Sequence, residues 1–269
     1  MIKYSSSCSE VSSPYDEYVL NSPIKKKSIH KKEKEGKKYY DQFKNSIHSF
    51  IYDIEIFDLT IVNITTLCMR YKFQKRRFYD VLNVLEAIGC CHKLKSDSIQ
   101  WFGLSNVPPY LLSLQKKLKV NLIETKLEDI FRADESIIIS QLTQLLIMCF
   151  LVIQNQTLNI KHIACFLSRH NQRYKTTLCK LYQITHILEA AGILRHTSKP
   201  CVIFLDTKYY KIISEKESDV KSNDPNPYSI ENLLNDHISE QFQKVVKKRK
   251  FEFYTHVQQL QATDNALYQ

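Results

Sequence analysis

The sequence predicts a mainly helical α+β fold. Three observations predict it: apolar residues recur at intervals of three and four over long stretches, short strand-like segments follow some of these stretches, and one such combination occurs twice. Hydrophobic residues make up 43% of the 269 residues, so a buried core can form. The chain has only four glycines, which argues against the glycine-rich loops that bind nucleotides.

The beginning of the chain, residues 1–36, is predicted to be a disordered basic tail, because Ser, Pro and Lys dominate it and apolar periodicity is absent. The lysines from Ile24 to Lys38 fit a solvated tail, a nuclear-import signal or an arm that follows phosphates. Over the whole chain, 38 Lys and Arg residues outnumber 28 Asp and Glu residues, which gives a net charge of +10. This surplus indicates a polyanionic partner, most often nucleic acid and less often an anionic membrane surface. The longest apolar run, residues 145–153, is too short to span a membrane, so no transmembrane helix is expected. Duplex DNA rather than a membrane is the expected partner.

Residues 37–104 are predicted to form one domain of three helices and a β-hairpin. The third helix is the clearest, because its apolar residues share one face and Gly89 follows it where a left-handed C-cap is expected. The predicted elements are helices at Tyr39–Ile54, Leu59–Met69 and Lys75–Ile88, then strands at Cys90–Leu94 and Ser98–Phe102. Three helices followed by a hairpin are the element order of a winged-helix domain.

The same pattern occurs a second time. Residues 79–89, YDVLNVLEAIG, are matched by residues 182–192, YQITHILEAAG, at an offset of 103. Without a gap, this offset also carries Ser98–Phe102 onto Cys201–Leu205. We therefore predict tandem winged-helix domains, the second of them a degenerate copy at residues 133–210. Its first two helices are predicted at Ile137–Ile153 and Ile160–Leu167.

Two further segments lie outside these domains. Residues 105–132 are predicted to be a linker, in part helical, with an apolar seam at Leu111, Leu114, Leu118 and Leu122. The seam fits a helix packed on its own domain or a short dimerisation helix. Residues 211–269 are predicted to be a polar C-terminal tail, in which Ile230–Phe242 could form one amphipathic helix. Lys247–Lys250 fit either a second import signal or a charge cluster at a helix end.

The start of the third helix carries the side chains expected to contact a ligand. Gln74 is followed there by Lys75, Arg76 and Arg77. In a helix-turn-helix, the N-terminal part of the recognition helix enters the major groove, where Arg can donate two hydrogen bonds to guanine O6 and N7. We therefore expect Arg76 and Arg77 to contact bases, although the same charges would also fit a solvated helix start. The side chains expected to contact the DNA backbone are Arg70, Lys72, Lys75, Asn83, Lys93 and Lys95.

The segments QKRRFYDVLNVLEAIG (residues 74–89) and SDSIQWFGL (residues 96–104) resemble the winged-helix domain of the E-two-F/DP family of cell-cycle transcription factors. The residues that match the family's pattern in place are Arg76, Arg77, Tyr79, Asp80, Asn83, Val84, Leu85 and Trp101. The resemblance implies that both arginines contact guanines of a GC-core promoter element, while Tyr79 and Asp80 hold the helix start in place. It also implies a nuclear, sequence-specific transcription factor that binds duplex DNA and regulates RNA polymerase II genes.

The second copy departs from this pattern. The replacements are Cys179 and Lys180 for the two arginines, Gln183 for Asp80, His186 for Asn83 and Phe204 for Trp101. Family members of the atypical kind carry two such domains in one chain and bind DNA without a DP partner, which implies that the two copies pair within this chain. The alternative is a separate partner chain of the E-two-F/DP kind. We expect His186 at the surface or facing the groove. The basic residues of the second copy that could contact DNA are Arg173, Lys175 and Lys180.

Two other classes of function are open at this point. One is a winged-helix module that binds protein, or a DP-like subunit that needs a separate partner to bind DNA, and the degeneration of the second copy favours it. The other is an enzyme, which we do not expect, because no carboxylate pair and no nucleophile–base set stands out. The eight cysteines include no CxxC pair, so neither a metal nor a cofactor is expected.

Overall fold

The computed structural model describes residues 26–57, 60–95, 97–131, 138–171, 173–210 and 230–266. By its internal contacts the chain divides into two units, Met1–Tyr40 and Asp41–Gln269. In the described residues, the helices are α1 (Lys26–Ile56), α2 (Ile64–Tyr71), α3 (Lys75–Ala87), α4 (Val107–Lys117), α5 (Leu127–Ile130), α6 (Ile139–Ile153), α7 (Ile160–Leu167), α8 (Tyr174–Ala190) and α9 (Ile230–Ala266). The strands are β1 (Ile61–Asn63), β2 (Cys91–Leu94), β3 (Ser98–Trp101), β4 (Thr157–Asn159), β5 (Leu194–His196) and β6 (Val202–Leu205). The mainly helical α+β class predicted from the sequence is confirmed.

The first three helices and the first sheet enclose one part of the core. Phe50 of α1 lies at the centre of this part, and its ring centroid is 5.3 Å from that of Phe78 on α3 and 5.7 Å from that of Trp101 on β3. In the sheet, β3 lies between β1 and β2, and both pairings are antiparallel. Three helices with a hairpin and a third short strand are the winged-helix arrangement that the sequence predicts. From Asp41 to Ile56, the residues that α1 buries recur at spacings of three and four: Ile47, Phe50, Ile51 and Ile54.

The segment before α2 differs from the prediction. The sequence predicts a helix over Leu59–Met69, whereas Ile61–Asn63 forms β1 and α2 begins only at Ile64. Asn63 accepts a hydrogen bond from the backbone N–H of Thr66 at 3.1 Å and so caps α2. Ile61 and Val62, which precede Asn63 in β1, pair with Gln100 and Ile99 of β3. This pairing joins segments that are distant in sequence, so the helical periodicity of the segment gives no sign of it.

The helix α1 begins earlier than predicted. The sequence predicts a disordered tail to residue 36 and a helix from Tyr39, but the helix begins at Lys26. The additional stretch is rich in Lys and Glu, which have high helix propensity, although it lacks the sustained apolar face on which the prediction relied. Residues 1–25 of the predicted tail lie outside the described residues.

Glycines end the two helices that the sequence repeat aligns. After α3, Gly89 has φ +82°, and the N–H of Cys90 donates to the carbonyl of Leu85 at 2.9 Å. After α8, Gly192 has φ +72° and is followed by the equivalent hydrogen bond, also of 2.9 Å. Glycine adopts this left-handed conformation without the steric penalty of a side chain. The C-cap predicted at Gly89 is confirmed.

The elements from α6 to β6 repeat the order of those from α1 to β3. Each set has a helix, a short strand, two further helices and a hairpin, and the second sheet has the order β4-β6-β5, again with its last strand in the centre. As the sequence predicts, α6 is apolar on most of its faces. The reason is that α6 packs against α3, α8 and α9 at once, and its residues 146–153 are all buried.

The strand pairing corrects the alignment of the two hairpins. The gap-free offset of 103 equates Trp101 with Phe204. In the structure, however, Trp101 pairs with Cys91, and it is Leu205 that pairs with the equivalent Leu194. Trp101 and Leu205 are both buried, whereas Phe204 is only half-buried. The offset between β3 and β6 is therefore 104, because the second hairpin turn holds one more residue.

The linker and the C-terminal segment both pack on the rest of the unit from Asp41 onward. Helix α4 buries Leu111, whereas Leu122 at the end of the predicted seam is exposed. Helix α9 continues to Ala266 and packs against α6 and α7, so its described part is not the polar tail predicted from the sequence. Between residues 240 and 259 of this helix, the buried residues are Phe242, Val246, Arg249, Phe253 and Val257. None of the described helices combines the length and the apolar character needed to cross a membrane.

Candidate nucleic-acid interface

The first turn of α3 concentrates positive charge. Lys75, Arg76 and Arg77 are exposed there, and no acidic residue lies in this turn. The helix dipole makes the same end of the helix positive, so cations at this place are unfavourable until an anion binds. The N-cap residue Gln74 makes no side-chain hydrogen bond to the helix. The start of α3 therefore suits a negatively charged ligand.

The two arginines predicted to contact bases differ in their surroundings. Arg76 makes no hydrogen bond or ion pair with any residue that the structure describes. Arg77 lies one turn before Asp80, with 4.0 Å between its Nη1 and the Asp80 Oδ2. The same Asp80 oxygen accepts a hydrogen bond of 2.8 Å from Nε2 of Gln183 on α8. Asp80 therefore contacts both an arginine of the helix start and the second half of the protein.

Tyr79 and Lys75 connect the start of α3 to the hairpin turn. Asp97, in the turn between β2 and β3, accepts hydrogen bonds from the Thr65 hydroxyl at 2.7 Å and the Tyr79 hydroxyl at 2.8 Å. Nζ of Lys75 lies 3.0 Å from the same carboxylate. Hydrogen bonds from Thr65, Tyr79 and Lys75 lower the pKa of Asp97 to about 2, and the bond to Asp97 raises the pKa of Tyr79. Lys75 is thus partnered within the protein, although the sequence predicts it as a phosphate contact.

Two of the residues predicted to contact the DNA backbone are exposed beside the start of α3. Lys72 lies in the turn between α2 and α3, and Lys95 lies in the hairpin turn. Neither side chain has a partner among the described residues. Their charges are therefore available to a ligand without the loss of an existing contact.

The other predicted backbone contacts are already engaged with protein groups. Arg70 lies 3.0 Å from Asp53 of α1. Lys93 lies 2.8 Å from Glu86 and also donates a hydrogen bond to Asn83. Each of these groups would exchange a contact within the protein for one with a phosphate. Its contribution to the free energy of DNA binding would therefore be smaller than that of an unpartnered lysine.

Helix α8, the counterpart of α3, also begins with basic residues, although it begins about one turn earlier than the offset of 103 places the start of α3. Arg173 and Lys175 are exposed at the start of α8, and no acidic residue lies in its first turn. Lys180 is half-buried two turns further on, and Cys179, at the position of Arg76, is exposed. The second half therefore keeps positive charge at this place but not the arginine pair.

The two halves meet through equivalent helices. Helix α1 contacts α8, where the Phe43 ring stacks on His186 with 6.1 Å between centroids. Helix α6 contacts α3, where Gln144 donates a hydrogen bond of 3.2 Å to the carbonyl of Ala87. In the two element orders α1 corresponds to α6 and α3 to α8. Exchanging the two halves therefore exchanges these contacts, as an approximate twofold relation requires.

The structure corrects the expected place of His186. Its side chain is only 3% exposed, rather than at the surface or in a groove. Burial and the charge of nearby Lys44 lower the pKa of His186 to about 4, so the ring is neutral at pH 7. Sequence reasoning missed this position because nothing in the repeat indicates that α1 covers this part of α8.

The cysteines and histidines form no metal centre in the described part of the chain. No group of three or more His, Cys, Asp or Glu side chains there could hold a metal ion. Most of the described cysteines are buried, as expected for small apolar side chains. Burial raises the pKa of Cys91 to about 12, so its thiol is unreactive at neutral pH.

Comparison with known proteins identifies the same segment. Residues 45–103 match the model of the E-two-F/DP family winged-helix DNA-binding domain, the family that the sequence resembles. A similar curated protein is Transcription factor efl-3 of Caenorhabditis elegans, which is 34% identical over 56 residues, covering 21% of this chain. The chain covers 9% of the length of that protein. No solved structure matches the chain. Residues 45–103 thus have both the sequence pattern and the fold of an E-two-F/DP winged-helix DNA-binding domain.

Proposed function

We propose that this chain is a nuclear, sequence-specific transcription factor that binds duplex DNA and regulates RNA polymerase II genes through a GC-core element of cell-cycle promoters. The observation that carries the proposal is the start of α3. There Arg76 and Arg77 are exposed beside the hairpin turn, within the segment that matches the family's DNA-binding domain. This part of a recognition helix contacts base edges in helix-turn-helix proteins, and Arg is the side chain that most often contacts guanine.

Electrostatic attraction to phosphates supports the same proposal. The chain has a net charge of +10, and Lys72 in the turn before α3 and Lys95 in the hairpin turn are exposed. Contacts of these lysines with phosphates would set the position of α3 in the groove. Arg70, Lys75, Asn83 and Lys93 join them only after releasing their present partners.

The second half acts as the partner of the first. We assign residues 133–210 to a degenerate winged-helix domain, on the basis of its element order and sheet order. The hydrogen bond from Gln183 to Asp80 and the packing of α6 on α3 support pairing within the chain. In this arrangement the second half takes the place of a separate DP or E-two-F partner chain. Its expected phosphate contacts are Arg173, Lys175 and Lys180.

Fluorescence anisotropy on labelled duplexes tests the proposal. The full chain is titrated onto a GC-core element and a scrambled duplex across a salt series. Wild type should prefer the element, and Arg76→Ala/Arg77→Ala should reduce that preference roughly tenfold or more while most of the salt dependence remains, because the arginines contact bases and the lysines phosphates. Lys247→Ala/Lys248→Ala, which removes two exposed charges from α9, is the matched control and should keep the preference.

Two results would contradict the proposal. Equal binding of wild type to both duplexes would favour the alternative, a module that binds protein or a DP-like subunit that needs a separate partner. A complex with two protein chains on each duplex, measured by light scattering after gel filtration, would contradict pairing within the chain. One protein chain on each duplex is the expected result.

A further inference from the structure

A series of polar contacts connects the second half of the protein to one of the two arginines. Gln183 on α8 donates from Nε2 to Oδ2 of Asp80 at 2.8 Å, and the same oxygen lies 4.0 Å from Nη1 of Arg77. Gln183 and Asp80 are half-buried, whereas the Arg77 side chain is exposed. Gln183, which lies outside the first winged helix, therefore contacts Asp80, the residue that lies beside the Arg77 guanidinium.

Asp80 and Gln183 occupy the same position of the sequence repeat, at the offset of 103. Their hydrogen bond lies where the two equivalent helices approach each other. Two carboxylates at this distance would repel each other, and one of them would have to take up a proton. An amide donates a hydrogen bond instead. The replacement of Asp by Gln in the second copy thus suits the pairing of the two halves, because it gives Asp80 a hydrogen-bond donor in place of a second carboxylate.

We propose that Gln183 is a positioning residue for Arg77 and thereby determines part of the DNA sequence specificity. Gln183 holds the Asp80 carboxylate in place, and that carboxylate orients the Arg77 guanidinium toward the base edge. A long Arg side chain loses rotamer freedom when it binds, and a contact that orients it beforehand lowers this cost. The inference rests on the proposed function, because it assumes that Arg77 contacts a base.

The two arginines should therefore respond differently to changes in the second half. Arg76 has no partner among the described residues, so its base contact does not depend on Gln183. Loss of the Gln183 amide should weaken discrimination only at the base pair that Arg77 contacts. A residue with a merely structural role would instead lower the affinity for every duplex alike.

The test measures affinity for a series of duplexes in which each base pair of the element is replaced in turn. With the full chain, Arg76→Ala and Arg77→Ala first identify the base pair whose discrimination each arginine supplies. Gln183→Leu, which removes the donor at similar volume, and Asp80→Asn, which keeps an acceptor for Gln183 but no charge for Arg77, are then measured on the same series. Both should reduce discrimination at the Arg77 base pair roughly three- to tenfold and leave the Arg76 base pair unchanged.

Gln144→Leu is the matched control for a lost hydrogen bond between the halves. Gln144 also donates from α6 to α3, but at Ala87, at the opposite end of α3 from Arg77. This variant should lower the thermal unfolding midpoint, because it loses the bonds to the Ala87 carbonyl and to the Tyr110 hydroxyl. It should leave base discrimination unchanged.

The outcomes separate this inference from the proposed function. If Arg77→Ala loses discrimination and Gln183→Leu keeps it, the inference is wrong and the proposed function stands. The inference is also wrong if Gln183→Leu weakens binding to all duplexes equally, or if Gln144→Leu has the same position-specific effect. If wild type discriminates at no base pair, the proposed function fails and the inference fails with it.

Discussion

A single carboxylate, that of Asp97, joins three elements of the first half. Its backbone has φ +53°, and its carbonyl accepts a hydrogen bond of 2.8 Å from the N–H of Ile64 at the start of α2. Its side chain accepts bonds from residues of α2 and α3, namely Thr65, Lys75 and Tyr79. Asp97 thus holds the hairpin turn against the helix start that presents Arg76 and Arg77.

The equivalent position in the second half keeps the backbone but not the charge. Cys201 has φ +61°, and its carbonyl accepts a bond of 2.8 Å from the N–H of Ile160, as Asp97 does from Ile64. The hydroxyl of Tyr182 lies 3.2 Å from its sulfur. The second half therefore has the same turn geometry as the first, without its ionic contacts.

Replacing Asp97 by Asn should destabilise the protein in a pH-dependent way. Asn tolerates the positive φ, so the change removes mainly the charge. The pKa of Asp97 is lowered from 3.8 to about 2, so the ionised group stabilises the fold above about pH 4 and this contribution is lost as the pH falls toward 2. Thermal unfolding followed by circular dichroism should show a lower midpoint for Asp97→Asn at pH 7. The difference should disappear near pH 2, and a difference that stays constant over this range would contradict the assignment.

The two glycine caps end equivalent helices in different surroundings. A Cβ at Gly89 would meet the ring of Tyr110 on α4, with the nearest atom at 2.4 Å, whereas a Cβ at Gly192 would meet nothing within 4 Å. The Tyr110 ring is itself held by a hydrogen bond of 3.1 Å between its hydroxyl and Gln144. Gly89 therefore serves both the left-handed turn and the close approach of α4, and Gly192 serves the turn alone.

The variants Gly89→Ala and Gly192→Ala should separate these two roles. Gly192→Ala should lower the free energy of unfolding by about 1 kcal/mol, because an alanine at positive φ is strained. Gly89→Ala should lower it by roughly 2–4 kcal/mol, since the overlap with Tyr110 is added to that strain. Urea unfolding of both variants measures the difference. Equal losses would show that the Tyr110 ring moves aside without penalty.

Helix α9 connects the C-terminal part of the chain to the linker between the two halves. The Arg249 side chain is only 2% exposed and donates hydrogen bonds to backbone carbonyls of the 120–125 turn. The acceptors are Val120 at 2.8 Å, Leu122 at 3.1 Å and Thr125 at 2.8 Å. The sequence offers Lys247–Lys250 as an import signal or a charge cluster, and in the structure the Arg of this run lies in the protein interior while its lysines are exposed.

Arg249→Ala should therefore loosen the linker as well as the helix. Three carbonyls lose their donor and a large buried side chain is removed, so the free energy of unfolding should fall by about 2–4 kcal/mol. Hydrogen exchange should rise in residues 118–126. Lys248→Ala, at the position immediately before Arg249, should change stability by less than about 0.5 kcal/mol because that side chain is exposed. Similar effects of the two variants would contradict the role of Arg249.

Packing across the unit also explains the burial of α6 and His186. Both lie on surfaces that would be solvent-exposed in an isolated winged helix, and both are covered here by helices of the other half or by α9. The excess of apolar residues in α6 was visible in the sequence, but its partners were not. At the contact between the halves, the His186 ring stacks on Phe43 and the Asp80 carboxylate accepts a hydrogen bond from Gln183.

Sequence patterns alone predict the helical faces of the first half, the glycine cap after α3, the hairpin and the basic helix start with Arg76 and Arg77. These features are local: periodicity, capping and turn chemistry act between residues a few positions apart. Sequence patterns do not predict that Ile61–Asn63 is a strand, that Arg249 is buried or that Gln183 contacts Asp80. Each of these depends on a neighbour far away in the chain. An apolar or polar pattern shows which face of an element is buried, but not which other element covers it.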